Sequence, residues 1–361
     1  MIRLFKQGAR LAMLAGTAAV MLSTTAAAAG DLSGREVVMW SPGGKYAEAL
    51  RTAYIEPFEE ATGAKVRLVE AGLDEAAAAT KAQLNAGKLE WDAWSGLDAP
   101  LLPRFIKEGL FQEVDASKIA GAEKLPDDAV HPFGVAVLNS AVTVSYRDVD
   151  GVTPLTSVKD FFDPSIKGPR AAGGTAGDAP LMCILALAAD SVTMEEMTNG
   201  LDLDRCGRIW DGIKDQVTSW WTTGSEMAQW QIDEEVDYCM CWDGRIIQAA
   251  LANPKWRVQH NGGIQFFTYL AYLKGTQNED VLNAFASYML DARQQAEFTR
   301  IVGYSAPNPE SVGYLPAAYK SLISVTPEAQ EGLLTVPDAL NEALSGQSEK
   351  IGEWWLEYIS Q

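Results

Sequence analysis

Two tryptophans and two aspartates stand where side chains would grip a small molecule. Trp40 and Trp242 each close an apolar stretch, at Glu36–Trp40 and Val236–Trp242, so their rings fall at strand ends. An indole face attracts an ammonium group by about 0.5–2 kcal/mol, more as water is excluded. Asp98 and Asp178 each precede a helical pattern, and either carboxylate would give such a cation a charge-assisted hydrogen bond. The same positions suit helix N-caps, a purely structural job. The opposite charge is also provided for. Ser41-Pro42-Gly43-Gly44 and Gly173-Gly174-Thr175-Ala176-Gly177 are glycine turns leading into helices, where backbone N–H groups and the helix dipole suit an anion. Arg245 or Arg170 would add a planar fork for a carboxylate. No Gly-Lys-Ser/Thr ending follows, so neither turn is a nucleotide P-loop. A zwitterion satisfies both halves of this pattern.

Bond-breaking chemistry finds less support. Glu59-Glu60 and Glu234-Glu235 are adjacent carboxylates, and neighbours in a helix do not face each other. The chain has only two histidines, His131 and His260, and no Gly-x-Ser-x-Gly or His-Glu-x-x-His motif. Neither catalysis, a metal nor a cofactor is expected. Cys183, Cys206, Cys239 and Cys241 allow one or two disulfides in an oxidising compartment, or buried free thiols. Cys239 and Cys241 share a face of one strand, and a bridge between them is not expected.

The elements that must position these groups belong to an exported chain. Arg3, Lys6 and Arg10, the apolar run Leu11–Leu22 and the small residues Ala26-Ala27-Ala28-Ala29-Gly30 have the three-part layout of a secretory signal peptide. The run is shorter than the roughly 20 residues a membrane span needs. Cleavage after Ala28 or Ala29 would release a protein into a bacterial periplasm. With 29 basic and 48 acidic residues the chain carries −19, which disfavours nucleic acid and anionic lipid as partners. The remaining length and 47% hydrophobic residues suffice for two ordinary cores.

Strand and helix patterns alternate. Strands are expected at 36–40, 65–70, 90–94, 135–146, at a stretch ending in Gly173-Gly174, and at 216–221, 236–242 and 264–273. Helices are expected at 45–62, 74–86, 98–108, near 158–162, and at 179–189, 206–215, 224–234 and 245–251, with a mostly helical end from Asp280. This is an α/β pattern with crossover helices. It predicts two lobes joined by long strands, with the ligand in the cleft between them. Lobe one takes 30–138 plus 265–310, lobe two takes 139–264, and 311–361 forms C-terminal helices packing on the lobes. A monomer is expected.

The ordered set of segments resembles the periplasmic solute-binding proteins of ABC importers, most closely the spermidine/putrescine-binding family. It runs from Val37 to Asn308. It includes Trp40-Ser41, Pro57-Phe58-Glu59-Glu60-Ala61-Thr62-Gly63, Trp91-Asp92-Ala93-Trp94, Lys107-Glu108-Gly109-Leu110, Asp160-Phe161-Phe162-Asp163-Pro164, Trp242-Asp243-Gly244-Arg245, Gly262-Gly263-Ile264 and Gly303-Tyr304-Ser305-Ala306-Pro307-Asn308. The resemblance implies a two-lobed type II binding fold that passes its solute to a permease in the inner membrane. It implies ligand contacts at Trp40, Ser41, Ser95, Asp98, Asp178, Trp242, Asp243, Phe266, Thr268 and Tyr304. Polyamine binders carry an aromatic and then an aspartate after the Gly-Gly-Ile step; this chain has Phe266-Phe267-Thr268. The first expectation for the ligand is a polyamine such as spermidine or putrescine, or another small amine. The alternative is a zwitterion or anion: an amino acid, carboxylate or phosphonate. An exported enzyme is the remote alternative.

Overall fold

The computed structural model describes residues 32–361, and the expected signal segment lies outside them. The first lobe opens with β1 (Glu36–Ser41), α1 (Gly44–Leu50), a π turn at Arg51–Ile55 and α2 (Glu56–Thr62). Next come β2 (Lys65–Glu70), α3 (Leu73–Asn85), β3 (Ala93–Asp98) and α4 (Leu102–Lys107). A short β4 (Val130–His131) precedes β5 (Gly134–Arg147). The second lobe holds α5 (Val158–Phe161), β6 (Arg170–Gly173), α6 (Ala179–Ala189), α7 (Met194–Met197), α8 (Leu203–Asp211), β7 (Val217–Trp221), α9 (Gly224–Ile232), β8 (Tyr238–Trp242) and α10 (Asp243–Ala252). β9 (Trp256–Tyr272), α11 (Glu279–Met289) and α12 (Ala292–Val302) return the chain to the first lobe. The remainder is α13 (Ala317–Lys320), α14 (Pro327–Gln330), β10 (Leu334–Thr335), α15 (Asp338–Ser345) and α16 (Ser348–Ser360).

One sheet runs through both lobes in the order β2-β1-β3-β9-β5-β8-β6-β7. β1 pairs in parallel with β2 and β3, and β6 in parallel with β7 and β8, as crossover helices require. The middle pair, β5 and β9, is antiparallel and serves both sides. Buried side chains divide along it. Leu138 on β5 and Phe267 on β9 pack with Val37, Trp94 and Phe105 in one core. Val142 and Phe266 pack with Trp210, Trp221 and Trp355 in another. The changeover therefore crosses both strands at one level, where Asn139 pairs Phe267 and Val142 pairs Ile264.

The second core is reinforced covalently. Cys183 on α6 and Cys206 on α8 form a disulfide, 23 residues apart with Cα atoms 5.4 Å apart. Closing such a loop contributes about 3 kcal/mol by restricting the unfolded chain. Replacing both cysteines with alanine is expected to cost at least that much in urea unfolding; a loss below about 1 kcal/mol would show that the bridge contributes little. Cys239 and Cys241 share one face of β8 as expected, with Cα atoms 5.6 Å apart and their sulfurs in contact.

Candidate functional site

The first lobe presents the ends of β1 and β3. Gly96 has φ +104°, and a Cβ there would stand 2.7 Å from Pro42 Cδ and 3.1 Å from the Tyr46 ring. The turn after β1 and the bulge within β3 close on each other only because that position has no side chain. The contact seats Tyr46, whose hydroxyl lies 3.1 Å from Ser95 Oγ. Asp98 ends β3. It keeps surface open to solvent although protein crowds it, and the lost water pushes its carboxyl pKa up. The Thr268 hydroxyl donates to Asp98 Oδ1 at 2.7 Å and opposes that shift. Thr268 stands where polyamine binders carry an aspartate, and here it holds a carboxylate that arrives from β3. Asp98 makes no side-chain N-cap bond to the turn that follows. Its carboxylate is not spent on capping.

Asp178 and Trp242 come from the second lobe. Asp178 precedes α6 without a side-chain cap bond, so the capping role fails here too. Its carboxylate accepts from the Thr175 hydroxyl. Partial burial raises its pKa, while Thr175 and the Trp242 side chain pull it back. Trp242 is half-buried at the end of β8 and its ring centroid lies 6.0 Å from that of Phe266. The glycine turns do less for an anion than expected. Gly174 donates its N–H to the Trp221 carbonyl at 2.8 Å, and Gly43 donates to Ser41 Oγ at 3.3 Å. A Cβ at Gly174 would stand 2.9 Å from Trp220 Cβ, so β6 and β7 need that glycine for close approach. Arg170 is fully buried and donates to the carbonyls of Phe161, Gly168 and Ile166 at 3.0, 2.9 and 2.7 Å. It is a structural clamp.

Arg245, the other guanidinium expected to meet a carboxylate, is not buried in this way. It lies in the first turn of α10, half-buried, and has no carboxylate partner among the described residues. Its Cζ lies 5.9 Å from the Tyr304 ring centroid. Tyr304 packs on the first core, yet a Cβ at Gly244 of α10 would stand 2.5 Å from its ring, so this contact joins the lobes. Burial raises the Tyr304 pKa to about 12; Arg245 draws it down, while Asp243 and Asp98 push it up. Asp98, Asp243, Tyr304 and Arg245 therefore share one electrostatic neighbourhood across the cleft.

The sequence-derived site residues fall into three groups. Asp98 meets Thr268, Asp178 meets Trp242 and Tyr304 feels Asp98, with Phe266 beside Trp242. Ser41 and Ser95 have no exposed surface; they lie at the end of β1 and at the bulge of β3. Trp40 and Asp243 are placed otherwise than as open contacts. Trp40 is 2% exposed, tilts against Trp94 at 4.9 Å and donates to the Ala71 carbonyl at 3.0 Å; its strand end faces the core. Asp243 is 0% exposed and turns Oδ1 back to the Gly244 N–H at 2.9 Å. Tyr46 was not legible as a site residue. Its only sequence signal is an aromatic two positions after the Gly43-Gly44 turn.

A two-lobed α/β binding protein is the class that this fold and cleft define, with the sheet shared by both lobes. The family described as bacterial extracellular solute-binding protein matches residues 53–326, and the chain belongs to it. Its fold neighbours include substrate-binding proteins of ABC transporters, and this chain is such a component. It is similar to a gamma-aminobutyric acid-binding protein of Pseudomonas aeruginosa, 25% identical over 315 residues, covering 86% of this chain and 88% of the relative. A putrescine/cadaverine-binding protein of the same organism is 26% identical over 133 residues, 37% of this chain and 34% of that one. A solved GABA receptor is 25% identical with TM-score 0.72, covering 90% of this chain and 98% of the other. The likeness is to binding proteins rather than enzymes. Among the described residues no helix is long and apolar enough to cross a membrane.

Proposed function

We propose that the protein captures a small zwitterionic amino-carboxylate, of which 4-aminobutyrate is the leading candidate, in the periplasm and hands it to an ABC permease in the inner membrane. One observation carries this reading. Arg245 stands without a carboxylate partner among the described residues beside the first residue of α9 and within the first turn of α10. Helix N-termini carry partial positive charge and favour anions. A guanidinium there is poorly placed until a negative group joins it, and a ligand carboxylate supplies one. Asp98 and Asp178, free of capping, would take the ammonium end. The GABA-binding relatives support the same choice.

A polyamine is the second reading. The two uncapped carboxylates and the Trp242 face favour it, and so does the putrescine/cadaverine-binding relative. An unpaired Arg245 in the same cleft repels a ligand that is cationic at both ends. The test is a thermal-shift screen of the purified mature protein with 4-aminobutyrate, putrescine, spermidine, α-amino acids and simple carboxylates. A ligand at about 100 times its dissociation constant adds about 2.7 kcal/mol. Stabilisation by 4-aminobutyrate and not by putrescine is expected; the reverse order would favour the polyamine reading.

Capture would proceed by closure of lobe one (30–138 plus 265–310) on lobe two (139–264), with 311–361 carried along. Asn139–Tyr146 and Ile264–Thr268 would act as the hinge. On β5 one register shift lies beside it, at Ala136/Leu138, and one within it, at Val142/Val144, and such bulges let paired strands bend. The radius of gyration from small-angle scattering should fall on saturation with ligand. An unchanged radius would argue against a hinge motion.

A further inference from the structure

We infer that Gly224 is a positioning residue that sets where the Arg245 guanidinium stands, and through it the length of amino-carboxylate the cleft accepts. This rests on the reading that Arg245 receives a ligand carboxylate. A Cβ built on Gly224 would lie 2.6 Å from Arg245 Nε, 3.1 Å from Cζ and 3.2 Å from Nη2. The guanidinium therefore lies flat against the backbone that opens α9. Gly224 has no left-handed φ, so its backbone conformation suits any residue and only the space demands glycine.

The helix cannot retreat to make room. Thr223 caps α9, its hydroxyl accepting from the Glu226 N–H, and Glu226 Oε2 in turn accepts from the N–H groups of Thr222 and Thr223 at 2.6 and 2.9 Å. This reciprocal box pins the first turn on both sides of Gly224. It also occupies Glu226, a first-turn carboxylate that would otherwise be free to neutralise Arg245. An added methyl must displace the end of the Arg245 side chain, which is flexible, rather than the helix, which is not. Folding should tolerate Gly224→Ala while the carboxylate anchor moves off α9. A two-ended ligand held at a fixed ammonium site reads that movement as a change in permitted length.

The test measures dissociation constants by titration calorimetry for 3-aminopropionate, 4-aminobutyrate and 5-aminovalerate, with wild type, Gly224→Ala, Arg245→Gln and the double variant. Gly224→Ala should keep the melting temperature of the unliganded protein and weaken the preferred length about tenfold. The ratio between that length and its neighbour should change by at least tenfold. In the Arg245→Gln background the effect of Gly224→Ala on the same ligand should shrink to less than twofold, because the group it displaces is gone. Equal weakening for all three lengths, or a Gly224→Ala effect that persists without Arg245, would overturn the inference and leave Gly224 as packing. Failure of the wild type to bind any of the three would instead sink the proposed function, and this inference with it.

Discussion

Arg245→Gln is expected to weaken 4-aminobutyrate binding about a hundredfold, by far the largest effect of any single cleft substitution. Glutamine keeps hydrogen-bonding capacity and loses the charge and the fork. A hydrogen bond to a charged group contributes about 1.5–3 kcal/mol, and leaving a ligand carboxylate without its counter-charge pushes the loss to the upper end of that range. About 2.7 kcal/mol is two decades in affinity. The variant should fold normally, since the guanidinium is held by a long 3.4 Å hydrogen bond to Gln248 and by the Tyr304 side chain, with no ion pair among the described residues. Putrescine has no carboxylate, so its affinity should hold or improve as a repulsive charge leaves the cleft. Calorimetry on both ligands decides it: equal losses for the two would mean that Arg245 shapes the site without meeting a carboxylate.

The second large effect is on stability. Asp243 is fully buried, and burial raises its pKa from the ordinary carboxylate range to about 7. Its Oδ2 has no hydrogen bond of good geometry, although the Ala141 N–H and the Ser324 hydroxyl lie near enough to draw the pKa down in part. The folded state holds a proton that the unfolded chain gives up first. This group's contribution is therefore complete below about pH 4 and is lost as pH rises through about 7. The shift corresponds to about 4 kcal/mol. Asp243→Asn removes the titration. The stability difference between variant and wild type in urea unfolding should grow in the variant's favour from pH 4.5 to 7.5 and then level off. A difference independent of pH would mean that the carboxyl does not titrate in this range.

Much of the scaffold was legible because its signals are local. β2 and α6 occupy the expected 65–70 and 179–189, where apolar pattern and turn residues agree. β9 was half missed. It begins at Trp256 rather than near Ile264, because Gly262-Gly263 looks like a break. Gly262 has φ +82°, and a Cβ at Gly263 would stand 2.6 Å from Thr143 Oγ1. The pair makes a bulge against β5 inside one continuous strand, which only the partner strand reveals. The cleft divides the same way. Residue types marked Asp98, Asp178 and Trp242, but not that Trp40 turns inward while Tyr46 turns toward Ser95. That choice depends on how the turn after β1 meets the β3 bulge at Gly96, contacts far apart in sequence.

Trp355 has a consequence for the order in which the chain acquires its shape. It is 0% exposed, donates to the Gly173 carbonyl at 3.0 Å and packs edge-on against Trp210 at 5.2 Å. Gly352 leaves room for Ala176, whose Cβ would otherwise be 2.8 Å away. The second core is thus sealed by the last helix, while the first needs Phe298 and Val302 from α12. A nascent chain emerging amino end first can finish the first core only once Phe298 and Val302 have been made, and the second only once Trp355 has. A chain threaded across a membrane would gain from this delay, because both cores stay open until helices late in the sequence arrive.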